Sequence, residues 1–353
     1  MLEATFVERG VVEWREAPSP RLQGPGEVLV RPIAVATCDL DAAIIKGNAP
    51  LPGPFPLGHE FVAEVTDIGD DVRGVEVGQR YAVPFQICCG VCAKCLAGIT
   101  DRCMNAPRLA AYGMKPLGGD WGGALSDSLR VPFPDFMLVP IPDGVDAVGA
   151  ASVSDNMPDG WRAVTPLLDS HPGADVLVVG GGGNGSTSIG LYACAFAIAY
   201  GAGHVDYVDS DTGLLELAQA LGANPIEATE PAQDGPYEGH FPRRLGAYGI
   251  TVDASSHPRG LALAIRSTDS GGICTGVGVF FEEYTQVPLL EMYTNGLTFR
   301  HGRAPARTAM PAILDLIAEG RFDPSPVTSV IVDWDDAVDA LLEAPTKLIV
   351  KRA

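Results

Sequence analysis

The chain has 353 residues, of which 46% are hydrophobic, and its formal net charge is −20. A chain of this length can form two domains, each with its own core. It contains no apolar run long enough to span a bilayer, and the acidic start MLEATFVERG does not resemble a signal peptide. The negative charge argues against nucleic acid or an anionic membrane surface as a partner.

The first 85 residues or so predict a β-rich region. Strand-like runs at Glu27–Ala36 and Glu60–Ile68 are bounded by glycine and proline, and residues 26–31 alternate as in a half-buried strand. This pattern favours a small barrel or sandwich.

A cysteine-rich segment at 88–104 follows. Cys89, Cys92, Cys95 and Cys103 have the spacing C-x2-C-x2-C-x7-C, whereas Cys88 is too close to Cys89 to join the same shell. Four thiols at this spacing are typical of a closed, tetrahedral structural zinc site. Cysteines used as metal ligands also indicate a reducing compartment, and we therefore expect a cytoplasmic protein.

From about residue 158 the pattern changes to alternating strands and helices. A strand, a glycine-rich turn, a helix and a second strand form a βαβ unit, which predicts a doubly wound parallel sheet. The predicted strands are Val176–Val179, His204–Asp209, Ile250–Ala254 and Gly272–Val279, and the predicted helices are Ser188–Tyr200 and Gly213–Gly222. A polar loop is predicted at Thr229–Arg243.

The turn after the first of these strands satisfies the dinucleotide-binding pattern G-x-G-x-x-G. The candidate cofactor-binding glycines are Gly180, Gly182, Gly183, Gly185 and Gly190. Gly190 is the candidate for packing the helix on the strand, because Asp209 follows it at about the usual spacing of roughly 20 residues. Asp209 would bind ribose hydroxyls and favour NAD over NADP, since a carboxylate repels a 2′-phosphate. Alternatively, Asp209 only caps the next helix.

The C-terminal part predicts helices at Ala309–Gly320 and Trp334–Glu343 and a closing strand at Lys347–Val350. With the two preceding regions, this gives two domains. Residues 1–157 and 300–353 are expected to form one domain, and residues 158–299, which contain the glycine-rich turn, the other.

Cys38, the pair His59-Glu60 and Asp155 form a second set of candidate metal ligands. With this set, the cysteine segment and the glycine turn in the same order, the chain resembles the zinc-dependent medium-chain alcohol dehydrogenase family along its whole length. SDNMPDGW at 154–161 is most similar to the formaldehyde, sorbitol and threonine dehydrogenase branch.

The resemblance implies a GroES-like catalytic domain, a Rossmann domain and a homodimer or homotetramer. It implies that Cys38, His59 and Asp155 bind a catalytic zinc, with Glu60 an adjacent, exchanging ligand and Asp41 orienting the histidine. It also implies cofactor contacts near Val277 and Val279 and at Lys347.

The implied reaction transfers a hydride between NAD(H) and a secondary alcohol or polyol, or the corresponding carbonyl. The family's proton relay is absent, because Leu40 and Ala43 stand where a hydroxyl and a histidine are usual, and Asp159 replaces a threonine. Asp39 or Asp159 are the candidate substitutes. The alternatives are a zinc-containing NAD(P)H reductase of activated C=N or C=C bonds and a non-catalytic NAD-binding protein.

Overall fold

The computed structural model describes residues 1–181, 185–228 and 241–352. Gly182 and Gly183 of the predicted cofactor turn lie outside the described residues, as does most of the loop predicted at 229–243. The chain divides into two compact units, which we call the first unit (Met1–Pro158 with Ala304–Ala353) and the second unit (Asp159–Arg303). The predicted domain boundaries, after residues 157 and 299, fall close to the edges of these units.

Sixteen strands occur in the described part of the chain. They are β1 Leu2–Glu8, β2 Val11–Glu16, β3 Val28–Ala36, β4 Phe55–Pro56, β5 Glu60–Ile68, β6 Arg80–Val83, β7 Leu129–Val131, β8 Val139–Pro140, β9 Val176–Val179, β10 Val205–Asp209, β11 Asn224–Glu227, β12 Tyr248–Asp253, β13 Thr268–Gly276, β14 Thr298–His301, β15 Val330–Asp333 and β16 Leu348–Lys351.

Twelve α-helices accompany them in the same residues. They are α1 Asp39–Ile45, α2 Ala93–Leu96, α3 Lys115–Gly118, α4 Pro134–Met137, α5 Ala147–Ala150, α6 Asn156–Ser170, α7 Thr187–Ala199, α8 Thr212–Ala220, α9 Pro258–Ser267, α10 Leu289–Asn295, α11 Ala306–Ala318 and α12 Ala337–Glu343. None of them is long and apolar enough to cross a membrane.

The first unit contains two sheets. One has the order β2-β1-β4, and the other runs β15-β16-β3-β5-β6-β8, with β7 also paired to β3. β3 alternates at its start, where Val28 and Val30 are buried and Arg31 is exposed, as expected for a half-buried strand.

The pairing of β3 positions the candidate ligands. Antiparallel register joins Ala36 to Glu60 of β5 on one side and to Ile349 of β16 on the other. The end of β3 therefore lies beside the start of β5 and the start of β16.

The second unit contains one parallel sheet with the order β11-β10-β9-β12-β13-β14. With β9 as its first strand, this is the 3-2-1-4-5-6 order of a doubly wound dinucleotide-binding fold. All four residues of β9 are buried, as a strand covered on both faces requires. The predicted fold class is confirmed.

Some predicted elements were misplaced or missed. β13 ends at Gly276 instead of Val279, because the amides of Val277 and Gly278 both donate to the Asp253 carbonyl and turn the chain. Helix α9 was missed, although Pro258 occupies its first turn and His257 Nδ1 accepts from the Arg259 amide as a cap.

Candidate active site

Four side chains of the first unit converge on one buried point. Cys38 precedes α1, His59 precedes β5, Glu60 opens β5, and Asp155 follows a short 3-10 helix at 151–154. Their donor atoms all lie within 4.8 Å of one another, and all four residues are buried. The structure thus brings together ligands that are far apart in sequence.

Helix capping fixes the thiol. The amide of Leu40 donates to Cys38 Sγ at 3.4 Å, and the amide of Cys38 donates to Asp41 Oδ2 at 2.9 Å. The other Asp41 oxygen lies 3.6 Å from His59 Nδ1. Asp41 therefore contacts both the cysteine backbone and the outer face of the histidine, as expected of a group that orients a ligating imidazole.

His59 is fully buried, and neither ring nitrogen makes a well-directed hydrogen bond with a described residue. Its Nε2 faces Asp155 Oδ2 at 3.4 Å. Burial lowers the pKa of His59, but Asp41 and Asp155 outweigh burial and raise it to about 9. A buried imidazole with an unsatisfied nitrogen facing a carboxylate and a thiol is the donor arrangement of a metal site.

Burial, together with the carboxylates of Asp155 and Glu60, raises the pKa of the Cys38 thiol well above its usual range. A divalent cation bound here would displace the protons that Cys38 and His59 hold, because both groups bind metal in their deprotonated forms. The donor set of one thiol, one imidazole and carboxylates suits zinc. The residues therefore fit the metal that the sequence predicted.

Glu60 differs from the other three because it has a cationic partner. Lys347 Nζ lies 3.1 Å from Glu60 Oε2, and both side chains are fully buried. Burial raises the pKa of Glu60 to about 8 despite the opposing effect of Lys347. The register of β16 beside β3 brings Lys347 next to Glu60, and the cofactor contact predicted for Lys347 stays a prediction.

Ser154 was not singled out from the sequence. Its Oγ accepts a hydrogen bond from the Phe61 amide and donates one to the Phe61 carbonyl, both at 3.0 Å. Because Ser154 precedes Asp155 and Phe61 follows Glu60, these bonds join the two chain segments that carry ligands. No sequence pattern indicates such a contact.

The four-thiol cluster forms a separate site in the first unit. The sulfurs of Cys89, Cys92, Cys95 and Cys103 meet the same 4.8 Å criterion. The amides of Cys95 and Met104 donate to Cys92 Sγ, and the Met104 amide contributes most to lowering the pKa of Cys92, to about 6. Cys88 is buried outside this set. The arrangement fits a closed metal shell.

The residues considered for a proton relay have different surroundings. Leu40 packs against an apolar cluster that includes Phe85 and Met114, so an aliphatic side chain without a hydroxyl occupies the relay position. Asp39 is half-buried in the first turn of α1. Asp159 belongs to the second unit, where Arg162 Nε donates to it at 2.6 Å.

In the second unit, close contacts explain several of the predicted glycines. A Cβ on Gly180 would overlap Asp209 Oδ2, and one on Gly185 would overlap the Ala254 carbonyl. Gly190 on α7 also lies close to Ala254, where a Cβ would be 3.1 Å from the alanine methyl group. The turn and the start of α7 therefore pack tightly against the carboxyl end of β12, where nucleotides bind in this fold.

Asp209 ends β10 and is fully buried. Asp211, not Asp209, caps α8, since its side chain accepts from the amides of Gly213 and Leu214. Asp209 is therefore not the cap of α8. Val277 is buried directly after β13, and Val279 is exposed.

The fold and the site together define a protein with a dinucleotide-type sheet and a buried cluster of mixed side chains that could hold a metal ion. Residues 24–143 match the family model for the alcohol dehydrogenase GroES-like domain. A probable zinc-binding alcohol dehydrogenase of Mycobacterium tuberculosis is 31% identical over 328 residues, which cover 93% of this chain and 81% of the relative. An L-threonine 3-dehydrogenase of Pseudoalteromonas translucida is 34% identical over 75% of this chain and 73% of its own.

Among solved structures, an alcohol dehydrogenase from Thermus sp. ATN1 is 27% identical and has a TM-score of 0.85. The match covers 100% of this chain and 100% of the Thermus chain. The chain belongs to the zinc-dependent medium-chain alcohol dehydrogenase family, as the sequence motifs indicated.

Proposed function

We propose that the protein is a zinc-dependent oxidoreductase that transfers a hydride between NAD(H) and a secondary alcohol or polyol, or the corresponding carbonyl. The observation that carries this proposal is the convergence of Cys38, His59 and Asp155 within 4.8 Å in a buried site. Fold alone would not carry it, because folds host unrelated functions.

Three ligands plus an open position are typical of catalytic zinc. Cys38, His59 and Asp155 would hold the ion, because Lys347 already compensates the charge of Glu60. Asp41 would keep His59 Nε2 directed at the metal by facing Nδ1. When bound, zinc supplies a Lewis acid for the substrate oxygen and NAD supplies the hydride acceptor.

We further propose a second, structural zinc at Cys89, Cys92, Cys95 and Cys103. The thiol-only donor set and the backbone amides that donate to Cys92 support a closed site that binds metal without reacting. These thiols also support a cytoplasmic location, where cysteines stay reduced.

We propose NAD as the preferred cofactor over NADP. Asp209 at the end of β10 supports this choice, because its carboxylate would accept hydrogen bonds from ribose hydroxyls and repel a 2′-phosphate. The contacts of Val277, Val279 and Lys347 with the cofactor remain predictions that rest on the family resemblance.

A second candidate function is the NAD(P)H-dependent reduction of activated C=N or C=C bonds. The side chain of Leu40 favours it, because this aliphatic residue has no hydroxyl to relay an alcohol proton at this position. If alcohols are the substrate, Asp39 and Asp159 are the candidate proton carriers. A non-catalytic NAD-binding protein is disfavoured by the intact ligand set.

We also propose a homodimer or homotetramer. β14 ends the parallel sheet at one side of the described second unit, and the neighbouring α10 exposes Leu290 by 75% and Tyr293 by 85%. An open strand edge next to exposed apolar side chains favours self-association. Sedimentation of the wild type against Leu290→Glu tests this, and an unchanged monomer in both would contradict it.

The deciding experiment compares Asp155→Ala with Asp143→Ala, an exposed acid of the same unit. Wild type should bind about two zinc per chain by this ligand count and oxidise members of a panel of secondary alcohols and polyols with NAD. Asp155→Ala should lose one zinc and turnover while still binding NAD, and Asp143→Ala should keep all three properties. Full turnover in Asp155→Ala would refute the proposal, and reduction of imines or alkenes without alcohol oxidation would select the second candidate.

A further inference from the structure

Tyr207 is a large aromatic residue in β10 that the proposed mechanism does not use. It is fully buried, and its hydroxyl donates a hydrogen bond to Asp209 Oδ2 at 2.8 Å. Side chains two residues apart on a strand point to the same face, so the strand itself sets this pair. A buried tyrosine hydroxyl requires a partner, and this one has a carboxylate.

The second oxygen of Asp209 is also held. The amide of Asp211 donates to Oδ1 at 2.9 Å. The carboxylate is thus bound from the strand side by Tyr207 and from the following turn by the backbone. Hydrogen bonds to an ionised acceptor are short and directional, so together they fix the orientation of the carboxylate plane.

The pair lies against the entry to the glycine turn. A Cβ on Gly180 would overlap Asp209 Oδ2 and would be 2.5 Å from the Tyr207 hydroxyl, and one on Gly190 would be 3.7 Å from the Tyr207 ring. Tyr207 therefore fills the space between the turn and α7. The absence of a side chain at Gly180 allows the tyrosine and the carboxylate to meet there.

We propose that Tyr207 is a positioning residue for cofactor selection. Its hydroxyl holds Asp209 in the orientation that accepts the ribose hydroxyls of NAD and opposes the 2′-phosphate of NADP. This inference rests on the proposed NAD preference of Asp209. It adds a residue that acts through Asp209 and does not itself contact the cofactor.

Tyr207→Phe keeps the ring and removes one hydrogen bond to the carboxylate. Without this bond the carboxylate of Asp209 is less well oriented and should bind the ribose hydroxyls less well. If the cost is about the free energy of one charge-assisted hydrogen bond, the Kd for NAD should rise roughly tenfold. The Kd for NADP should stay the same or fall, because repulsion by a mobile carboxylate is weaker. The NADP to NAD ratio of Kd values should therefore fall by about tenfold or more.

A second tyrosine–carboxylate pair offers a matched control. Tyr248 is another buried tyrosine whose hydroxyl donates to a carboxylate of β10, Asp206 Oδ2, at 2.5 Å. Asp206 lies near the opposite end of the strand from Asp209, and Asn224 and His204 also contact it. Tyr248→Phe removes the same type of bond with a similar expected loss of stability, but it leaves Asp209 untouched.

The experiment measures the Kd values for NAD and NADP by calorimetry, and the melting temperature, for full-length wild type, Tyr207→Phe, Tyr248→Phe and Asp209→Asn. A changed ratio in Tyr207→Phe and Asp209→Asn but not in Tyr248→Phe supports the inference. If Asp209→Asn changes the ratio and Tyr207→Phe behaves like Tyr248→Phe, the inference is overturned and the NAD proposal stands. If Asp209→Asn leaves the ratio unchanged, the NAD proposal itself fails.

Discussion

The two candidate metal clusters bring their donor atoms together in opposite ways. The four thiols between Cys89 and Cys103 come from one short segment, and two of them are only partly buried. The cluster of Cys38, His59, Glu60 and Asp155 is buried throughout and draws on three separate segments. A closed site can therefore be built by local chain geometry, whereas the mixed-ligand site exists only when the sheet of the first unit has formed.

The electrostatics of the clusters differ at one thiol. Backbone amides of Met104 and Cys95 lower the pKa of Cys92 to about 6, whereas burial raises the pKa of Cys95 to about 12 and also raises that of Cys103. At the mixed cluster, burial and neighbouring carboxylates raise the pKa of its single thiol, Cys38. The backbone therefore favours one thiolate in the four-thiol cluster, and a cation bound at either cluster would displace protons from the remaining thiols.

The largest expected effect concerns the four-thiol cluster. Structural zinc contributes about 10 kcal/mol or more in zinc-finger peptides, so Cys95→Ser should lower the free energy of unfolding by more than about 5 kcal/mol and remove one zinc per chain. Cys88→Ala is the control, because Cys88 is a buried neighbour outside the cluster. Equal zinc content in wild type and Cys95→Ser, measured by plasma emission, would contradict a structural site.

The next effect tests the charge balance of the mixed cluster. Lys347→Met leaves Glu60 buried without its cation, and breaking a buried pair costs about 3–5 kcal/mol in urea unfolding. Adding Glu60→Gln should recover part of this loss. Lys351→Met, four residues later, breaks only the exposed pair with Asp333 and should cost less than about 1 kcal/mol. Similar losses in both lysine variants would show that the buried pair has no special role.

Asp253 is a buried carboxylate outside both clusters, and it shows what burial does to an acid that has no cation beside it in the described part of the chain. Burial raises the pKa of Asp253 from 3.8 to about 7, although Ser255 donates two hydrogen bonds to it. The folded protein therefore holds this proton more tightly than the unfolded chain, so stability falls as the pH rises from about 4 to about 7 and the deficit is constant above that range.

At about 1.4 kcal/mol per pKa unit, the effect of Asp253 amounts to a few kcal/mol. Asp253→Asn cannot ionise, so its free energy of unfolding should fall less than that of the wild type between pH 5 and pH 8. Comparing the two proteins isolates Asp253 from His59, which titrates in both. Parallel pH profiles would mean that the carboxyl is not held neutral.

The smallest effect concerns the contact that joins the ligand-bearing segments. Ser154→Ala removes both hydrogen bonds to Phe61 and should cost about 1–2 kcal/mol. Zinc at the mixed cluster should also exchange faster with a chelator, while zinc at the four thiols is unaffected. Ser170→Ala, at an exposed serine of α6, serves as the control. If zinc at the mixed cluster exchanges at the same rate in Ser154→Ala as in the wild type, Ser154 has no role in holding the site.

The elements that sequence patterns located are those with a local signal. The apolar run of β9, the glycine turn and the buried helix α7 define a βαβ unit without any distant contact. The strands β3 and β5 were found from their glycine and proline boundaries. α10 and β14 were missed, since their exposed and half-buried residues carry no clear periodicity.

The candidate site was predictable only in part. Cys38, His59 and Asp155 were chosen by resemblance, because a single cysteine, histidine or aspartate carries no pattern of its own. Lys347 was assigned to the cofactor by resemblance, and the structure adds a contact that the sequence did not indicate, its ion pair with Glu60 beside the pairing of β16 with β3. Strand periodicity places Tyr207 and Asp209 on the same face of β10. Whether the tyrosine hydroxyl contacts the carboxylate depends on the rotamers of both side chains, which only the structure shows.

The sequence by itself determined the four-thiol segment, the βαβ pattern of the second unit and the position of the glycine turn, because each depends on residues close together in the chain. The tertiary structure decided which distant side chains share one buried point and which charges compensate each other there. The physical reason is strand register, since one pairing of β3 with β5 and β16 sets the neighbours of Cys38, Glu60 and Lys347 at once.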